Sequence, residues 1–182
     1  LLRKNMTKKK SLFNTQKEKI IEKTGLQGNV VIKIVKGKKV LKETKVHNMA
    51  TMELLYGIMI SLSGKFDSSR LPRFLGVGQS AENITIEDKA LKEEITIIRP
   101  SLTPNIKGNP TRDTTNGLST TVYQGVIPYN KVLEATIKEI GIFGTESGDS
   151  LLARVVIPDG ITLEIGQSLL VEWSFSIKNI EE

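Results

Sequence analysis

The last third of the chain is a run of short β-like segments, and this run restricts the fold more than any other feature. Leu118–Pro128, Leu133–Phe143, Leu151–Ile157 and Ser168–Lys178 are rich in β-branched and aromatic residues. They are separated by Pro128-Tyr-Asn-Lys, by Gly144-Thr-Glu-Ser-Gly-Asp and by Pro158-Asp-Gly through Gly166. Strands broken by turn residues at this spacing predict an antiparallel sandwich or barrel-like sheet. The last segment is the cleanest. Leu169, Val171, Trp173, Phe175 and Ile177 share one face, and Glu172, Ser174 and Ser176 take the other. That alternation predicts a half-buried strand with Trp173 in the core.

Upstream, Asn29–Lys36 and Val40–Val46 read as two strands joined at Gly37-Lys38, a hairpin. A helix is predicted over about 48–63. Asn48 is its expected N-cap, Met52, Leu55, Met59 and Leu62 its buried face, widened by Leu54, Ile58 and Ile60 so that the helix is expected to be well buried, and Gly64 its stop. Arg73–Gly78 reads as a strand, Asp88–Glu94 as a helical turn and Ile95–Arg99 as a further strand. Residues 100–117 hold Pro100, Pro104, Gly108 and Pro110 and predict a long irregular loop. The expected class is mainly β (α+β): an antiparallel β-sandwich spanning 27–182, with one packed helix. It is preceded by a basic arm, 1–26. In the arm, residues 1–10 are expected to lack regular structure, and Ser11 to cap a short helix reaching Lys23.

Composition removes several function classes. There is no cysteine and a single histidine, His47. Disulfides, thiol nucleophiles, cysteine-ligated metals and multi-histidine sites are therefore excluded. Met52–Leu62, the longest apolar stretch, is too short to span a bilayer, which needs about 20 residues. The charge is divided unevenly. Residues 1–46 carry fourteen Lys/Arg against three Glu, a net of +11, whereas residues 47–182 carry twelve against seventeen acids, a net of −5. A basic arm on an acidic body suggests a tail that meets an anionic surface, and an acidic protein is favoured over nucleic acid. Phe13 is the arm's one aromatic residue, which leaves no stacking platform for bases.

Three short patterns read as structure rather than chemistry. Gly76-Val-Gly78 is not followed by the third glycine and helix of a dinucleotide fingerprint. His47 has no nucleophile or orienting carboxylate near it in sequence. Glu87, Asp88, Glu93 and Glu94 lack the spacing and central glycine of a calcium loop and are expected to form a solvated acidic turn. Arg154, by contrast, interrupts an apolar strand. It is expected to face Glu139 across neighbouring strands built from Ile140–Phe143 and Leu152–Val155.

The order of these segments carries a resemblance. Phe74-Leu-Gly-Val-Gly78 is followed by Asp88-x-x-Leu91-x-x-Glu94, then Ile137-Lys-Glu-Ile-Gly-Ile-Phe143. Leu151-Leu-Ala-Arg154 and Val171-Glu-Trp-Ser-Phe175 come last. Over roughly residues 47–178 this resembles small structural proteins of tailed-bacteriophage virions, from the tail, baseplate and fibre region. The resemblance implies a ring, adaptor or fibre-attachment subunit at the neck, tail or baseplate. It implies docking rather than enzymatic chemistry, with no catalytic, cofactor or metal residues. It also implies other virion proteins as partners, a homo-oligomer, no membrane, and residence in the virion after assembly in the bacterial cytoplasm. The expected interface residues are Lys8, Lys9, Lys10, Lys36, Lys38, Lys39, Pro104, Asn109 and Arg112. The alternatives are a head decoration or head-fibre protein, and a nucleic-acid-binding protein that uses the arm. The proline- and threonine-rich 100–117 segment departs from the pattern.

Overall fold

A computed structural model describes residues 26–96, 98–104 and 110–178. The elements run β1 (Leu26–Lys36), β2 (Lys39–His47), β3 (Met49–Ala50), α1 (Met52–Leu62), a 3₁₀ turn (Ser68–Arg70), β4 (Phe74–Gly78), β5 (Thr103–Pro104), β6 (Thr111–Asp113), β7 (Leu118–Pro128), α2 (Tyr129–Val132), β8 (Thr136–Phe143), β9 (Leu151–Thr162) and β10 (Ser168–Lys178). Among the described residues they form two antiparallel sheets. The larger is ordered β2-β1-β10-β7-β5, with β6 also paired to β7, and the smaller is ordered β3-β9-β8-β4. This is the β-sandwich with a packed helix that the strand spacing predicts.

The inner faces follow from alternation. Val30 and Ile32 of β1 lie beside Val171 and Trp173 of β10 and Ile127 of β7, all fully buried. From the other sheet, Ile140 and Ile142 of β8 and Ala153 and Val155 of β9 complete the core. The smaller sheet is covered on its outer face too. Leu91 packs there with Phe143 and Leu151. Burial on both faces is why β8 and β9 read as almost continuous apolar runs.

Several expected boundaries move. Met49 and Ala50 are strand, paired with Arg154 and Ala153. The Thr51 hydroxyl donates to the carbonyls of Leu151 (2.7 Å) and Leu152 (3.1 Å), so the backbone stays extended to position 51 and the helix begins at Met52. Asn48 is therefore not the cap. Its backbone N–H donates to the Gly28 carbonyl at 3.2 Å, and its amide lies so close to Gly28 that a Cβ there would overlap it. The buried face of α1 is only part of the predicted one. Leu54 is buried and Ile58 packs on the core as expected, together with Gly57, whereas Met52, Met59 and Leu62 are exposed. Gly57 explains this orientation. With no side chain it lets the helix approach the Arg70 carbonyl, which a Cβ would meet at 2.6 Å.

The 100–117 segment is only partly irregular. β6 folds back on β7 as a hairpin, with Thr111 opposite Thr120. Asp113 closes its turn by accepting hydrogen bonds from the backbone N–H groups of Thr115 and Asn116 and from the Asn116 amide. Pro158-Asp-Gly does not end a strand. It lies inside β9, where Gly160 has φ +66° and the register with β8 shifts, as at a bulge. β8 starts at Thr136 because α2 and the left-handed Leu133 (φ 49°) occupy the preceding residues. Glu94 makes a lone bridge to Gly78, the helical turn expected at 88–94 does not form, and the described residues of 95–99 are not strand. The helix expected over 11–23 lies outside the described residues.

Candidate docking surface

Among the described residues, the expected interface positions fall at opposite ends of the larger sheet. Lys36, Lys38 and Lys39 are exposed at the β1–β2 turn. That turn lies at the Ser168 end of β10, since Val35 pairs with Ser168. Arg112 is exposed in β6 and pairs with Ser119. It therefore lies at the other end of the sheet, where Leu118 pairs with Lys178. An eleven-residue strand at about 3.4 Å per residue separates the two groups by roughly 35 Å. Arg112 borders an open depression of about 490 Å³ that also contains Leu118, Ile177 and Lys178. Pro104 is in β5, opposite Tyr123. Lys8, Lys9, Lys10 and Asn109 lie outside the described residues.

A different surface emerges around α1. Met52, Tyr56, Met59 and Leu62 are 44%, 54%, 63% and 76% exposed, and Phe66 just beyond the helix is 77% exposed. Beside this face runs an apolar groove of about 280 Å³ between α1 and the larger sheet. Leu54, Ile58 and Leu62 line one wall, and Tyr123 and Phe175 line the sheet side. Leu26 and Ile177, opposite one another on β1 and β10, also border it. The aromatic rings form a connected set. Phe175 meets Tyr123 edge-on and Trp173 in a stacked arrangement, both at 6.3 Å. Burial raises the Tyr123 hydroxyl pKa above its ordinary value of 10.0. At one side, Arg70 pairs with Glu53 and Asp67 and places its guanidinium 4.6 Å over the Tyr56 ring. That arrangement holds an apolar ring open to solvent.

The sequence does contain a signal for this face. Leu54, Leu55, Ile58 and Ile60 join Met52, Met59 and Leu62 in eleven residues, so the helix is apolar nearly all round. Such a helix is either enclosed or left with an unpartnered side. One sheet and a 3₁₀ turn cannot enclose it.

The acidic segment has a different role from the one expected. The Arg154 Nε donates to Glu139 Oε2 at 2.7 Å, as anticipated, and its Nη1 reaches Asp88 Oδ2 at 3.2 Å. Glu139 also accepts from the backbone N–H of Lys92 (3.2 Å) and Glu93 (2.8 Å). Arg99 binds Glu94 through two bonds of 2.7 Å, and its guanidinium lies 3.4 Å over the Phe143 ring. Arg154 and Glu139 are fully buried and Asp88 and Arg99 nearly so. Asp88 and Glu94 thus belong to structural clamps that hold this segment over the smaller sheet, whereas Glu87 and Glu93 are exposed, as expected of a solvated turn. Burial alone would raise the Asp88 pKa. Hydrogen bonds from the Thr85 side chain and backbone, together with Lys92, outweigh it and lower the pKa.

Among the described residues, no three His, Asp or Glu side chains are grouped to hold a metal ion, and no helix is long and apolar enough to cross a membrane. The chain matches no protein-family model and no curated protein.

Proposed function

We propose that this chain is a structural subunit of a tailed-phage virion, a ring, adaptor or fibre-attachment component that acts by docking to other virion proteins and to copies of itself. One observation supports this most. Four of the five segments that carry the resemblance lie against one another, and the fifth, Val171–Phe175, is in β10 of the larger sheet. β4, β8 and β9 are neighbours in one sheet. Asp88 and Glu139 share Arg154, Leu91 packs on Phe143 and Leu151, and Glu94 holds Arg99. In this reading the interfaces comprise the basic arm with Lys8, Lys9 and Lys10, the Lys36–Lys39 turn, and the Pro104, Asn109 and Arg112 region. The chemistry is apolar burial and charge complementarity, which needs no catalytic residue and no cofactor.

The direct test is mass spectrometry of density-purified particles from cells that encode the chain. Its peptides are expected in the particles at a fixed stoichiometry. Their absence from intact particles refutes the reading. Removing residues 1–25 should leave the sandwich folded while blocking incorporation. Nucleic acid that co-purifies with the free protein, and leaves between low and physiological salt, would instead favour a nucleic-acid role for the arm.

A further inference from the structure

The outer face of α1 has the pattern of a helix–helix seam. Met52, Leu55, Tyr56, Met59 and Leu62 fall on the a, d, e, a and d positions of a heptad, and none of them is charged. Leu54, Gly57 and Ile58 turn inward instead, so Leu55 is half-buried and the other four seam residues are exposed. Among the described residues α1 is the one helix longer than four residues. The matching seam that the described chain offers is therefore α1 of a second copy. The exposed area has the size such a pairing needs. Tyr56 is 54% exposed, and Phe66, just beyond the helix, is 77% exposed, while Met52, Met59 and Leu62 are 44–76% exposed. An aromatic side chain can bury about 150–250 Å² and an aliphatic one about half as much, so these five leave roughly 450 Å² of apolar surface open. Non-obligate interfaces are about 57% apolar. A patch of this size thus corresponds to about 800 Å² per partner, the share of a standard stable interface.

We propose that the subunit pairs with a second copy through α1, the two helices running antiparallel about a two-fold axis that passes near Tyr56. Met52 then lies opposite the partner's Leu62, and Leu55 opposite the partner's Met59, so one patch serves both sides, as a two-fold interface requires. The antiparallel arrangement sets the positive N-terminal end of each helix beside the negative C-terminal end of the other. Arg70, 4.6 Å over the Tyr56 ring, already fixes this central anchor, which reduces the ordering cost of association. The inference rests on the self-docking part of the proposed function and not on its virion part. Its test uses the isolated chain, so a failure here and an absence from particles are separate results.

Sedimentation of the full-length chain at about 10 μM, above the Kd range usual for interfaces of this size, is expected to show association. Met59→Asp places two carboxylates in the seam and should raise the dissociation constant about 30-fold or more, as loss of a hot spot does. Ser147→Asp, on an exposed turn, should leave it unchanged. The absence of cysteine allows single-site crosslinks to report the orientation. In the antiparallel pair the two copies of position 56 are offset by about 3 Å along the helices, within disulfide reach, and the two copies of position 52 by about 15 Å, beyond it. Under mild oxidation Tyr56→Cys should therefore form a covalent dimer and Met52→Cys should not. Trp173 emission reports that each variant is folded. A monomeric full-length chain, an association that Met59→Asp leaves unchanged, or crosslinking at position 52 as efficient as at position 56 overturns the proposal.

Discussion

Replacing Arg154 with methionine leaves two buried carboxylates without their shared cation. Glu139 is fully buried and Asp88 is 5% exposed. Removing one partner of a buried ion pair typically costs about 3–5 kcal/mol, because the remaining charge cannot be solvated. The lower part of that range applies here. Glu139 keeps the Lys92 and Glu93 backbone N–H bonds, and Asp88 keeps Thr85 and Lys92. A loss near 3 kcal/mol corresponds to a fall in Tm of roughly 6–12 °C for a domain of this size. Urea and thermal unfolding followed by Trp173 emission measures it, since Trp173 is the only tryptophan and is fully buried. Arg154→Met/Glu139→Met completes a double-mutant cycle. The double variant should lose at least about 1 kcal/mol less than the sum of the single losses, because it removes Glu139, one of the two carboxylates that Arg154→Met alone leaves without a cation. A loss under about 1 kcal/mol for Arg154→Met, or an additive cycle, would refute the claim that these charges clamp residues 79–102.

The lowered Asp88 pKa gives the stability a defined acid limb. The stabilisation is present above the unfolded carboxylate pKa of about 3.9 and is lost as pH falls through the lower folded value. Urea titrations from pH 5 to pH 2 should show this limb, and Asp88→Asn should flatten it. Thr51→Val removes the hydroxyl that bonds two β9 carbonyls and should cost about 1–2 kcal/mol in urea unfolding. Gly144→Ala would drive a Cβ into the Ser69 carbonyl. Backbone must move there, so a loss above about 2 kcal/mol is expected in thermal unfolding, and a Tm unchanged from the parent would show that the 3₁₀ turn yields freely.

Strand periodicity made the larger elements legible. β7 and β10 carry the predicted ends, and the β1–β2 hairpin turns at Gly37, whose φ is +59°. The Arg154–Glu139 pair was readable because one charge in an apolar strand must find a partner. Other features depended on tertiary contacts. Pro158-Asp-Gly has the chemistry of a turn, yet pairing with β8 carries the strand through it as a bulge. Asn48 suits an N-cap, but β9 offers Met49 and Ala50 a ladder that outweighs local preference. The orientation of α1 was hidden for a related reason. Its apolar residues occupy both sides, so periodicity could not say which side packs inward, and Gly57 marks the side that closes on Arg70 of the 3₁₀ turn. The docking surface followed from that choice and was missed with it.

The pairing of β1 with β10 also sets a timetable for synthesis. Leu26 lies opposite Ile177, so the middle of the larger sheet is closed by nearly the first and the last described residues. At roughly 5–20 residues per second, β10 leaves the ribosome on the order of ten seconds after β1. During that interval β1 can pair with β2 but has one bare edge, and β7 waits with another. Both edges stay bare until β10 emerges, and slower elongation lengthens that exposure. A message cut short before Ser168 releases a polypeptide with two adhesive edges rather than a smaller folded protein.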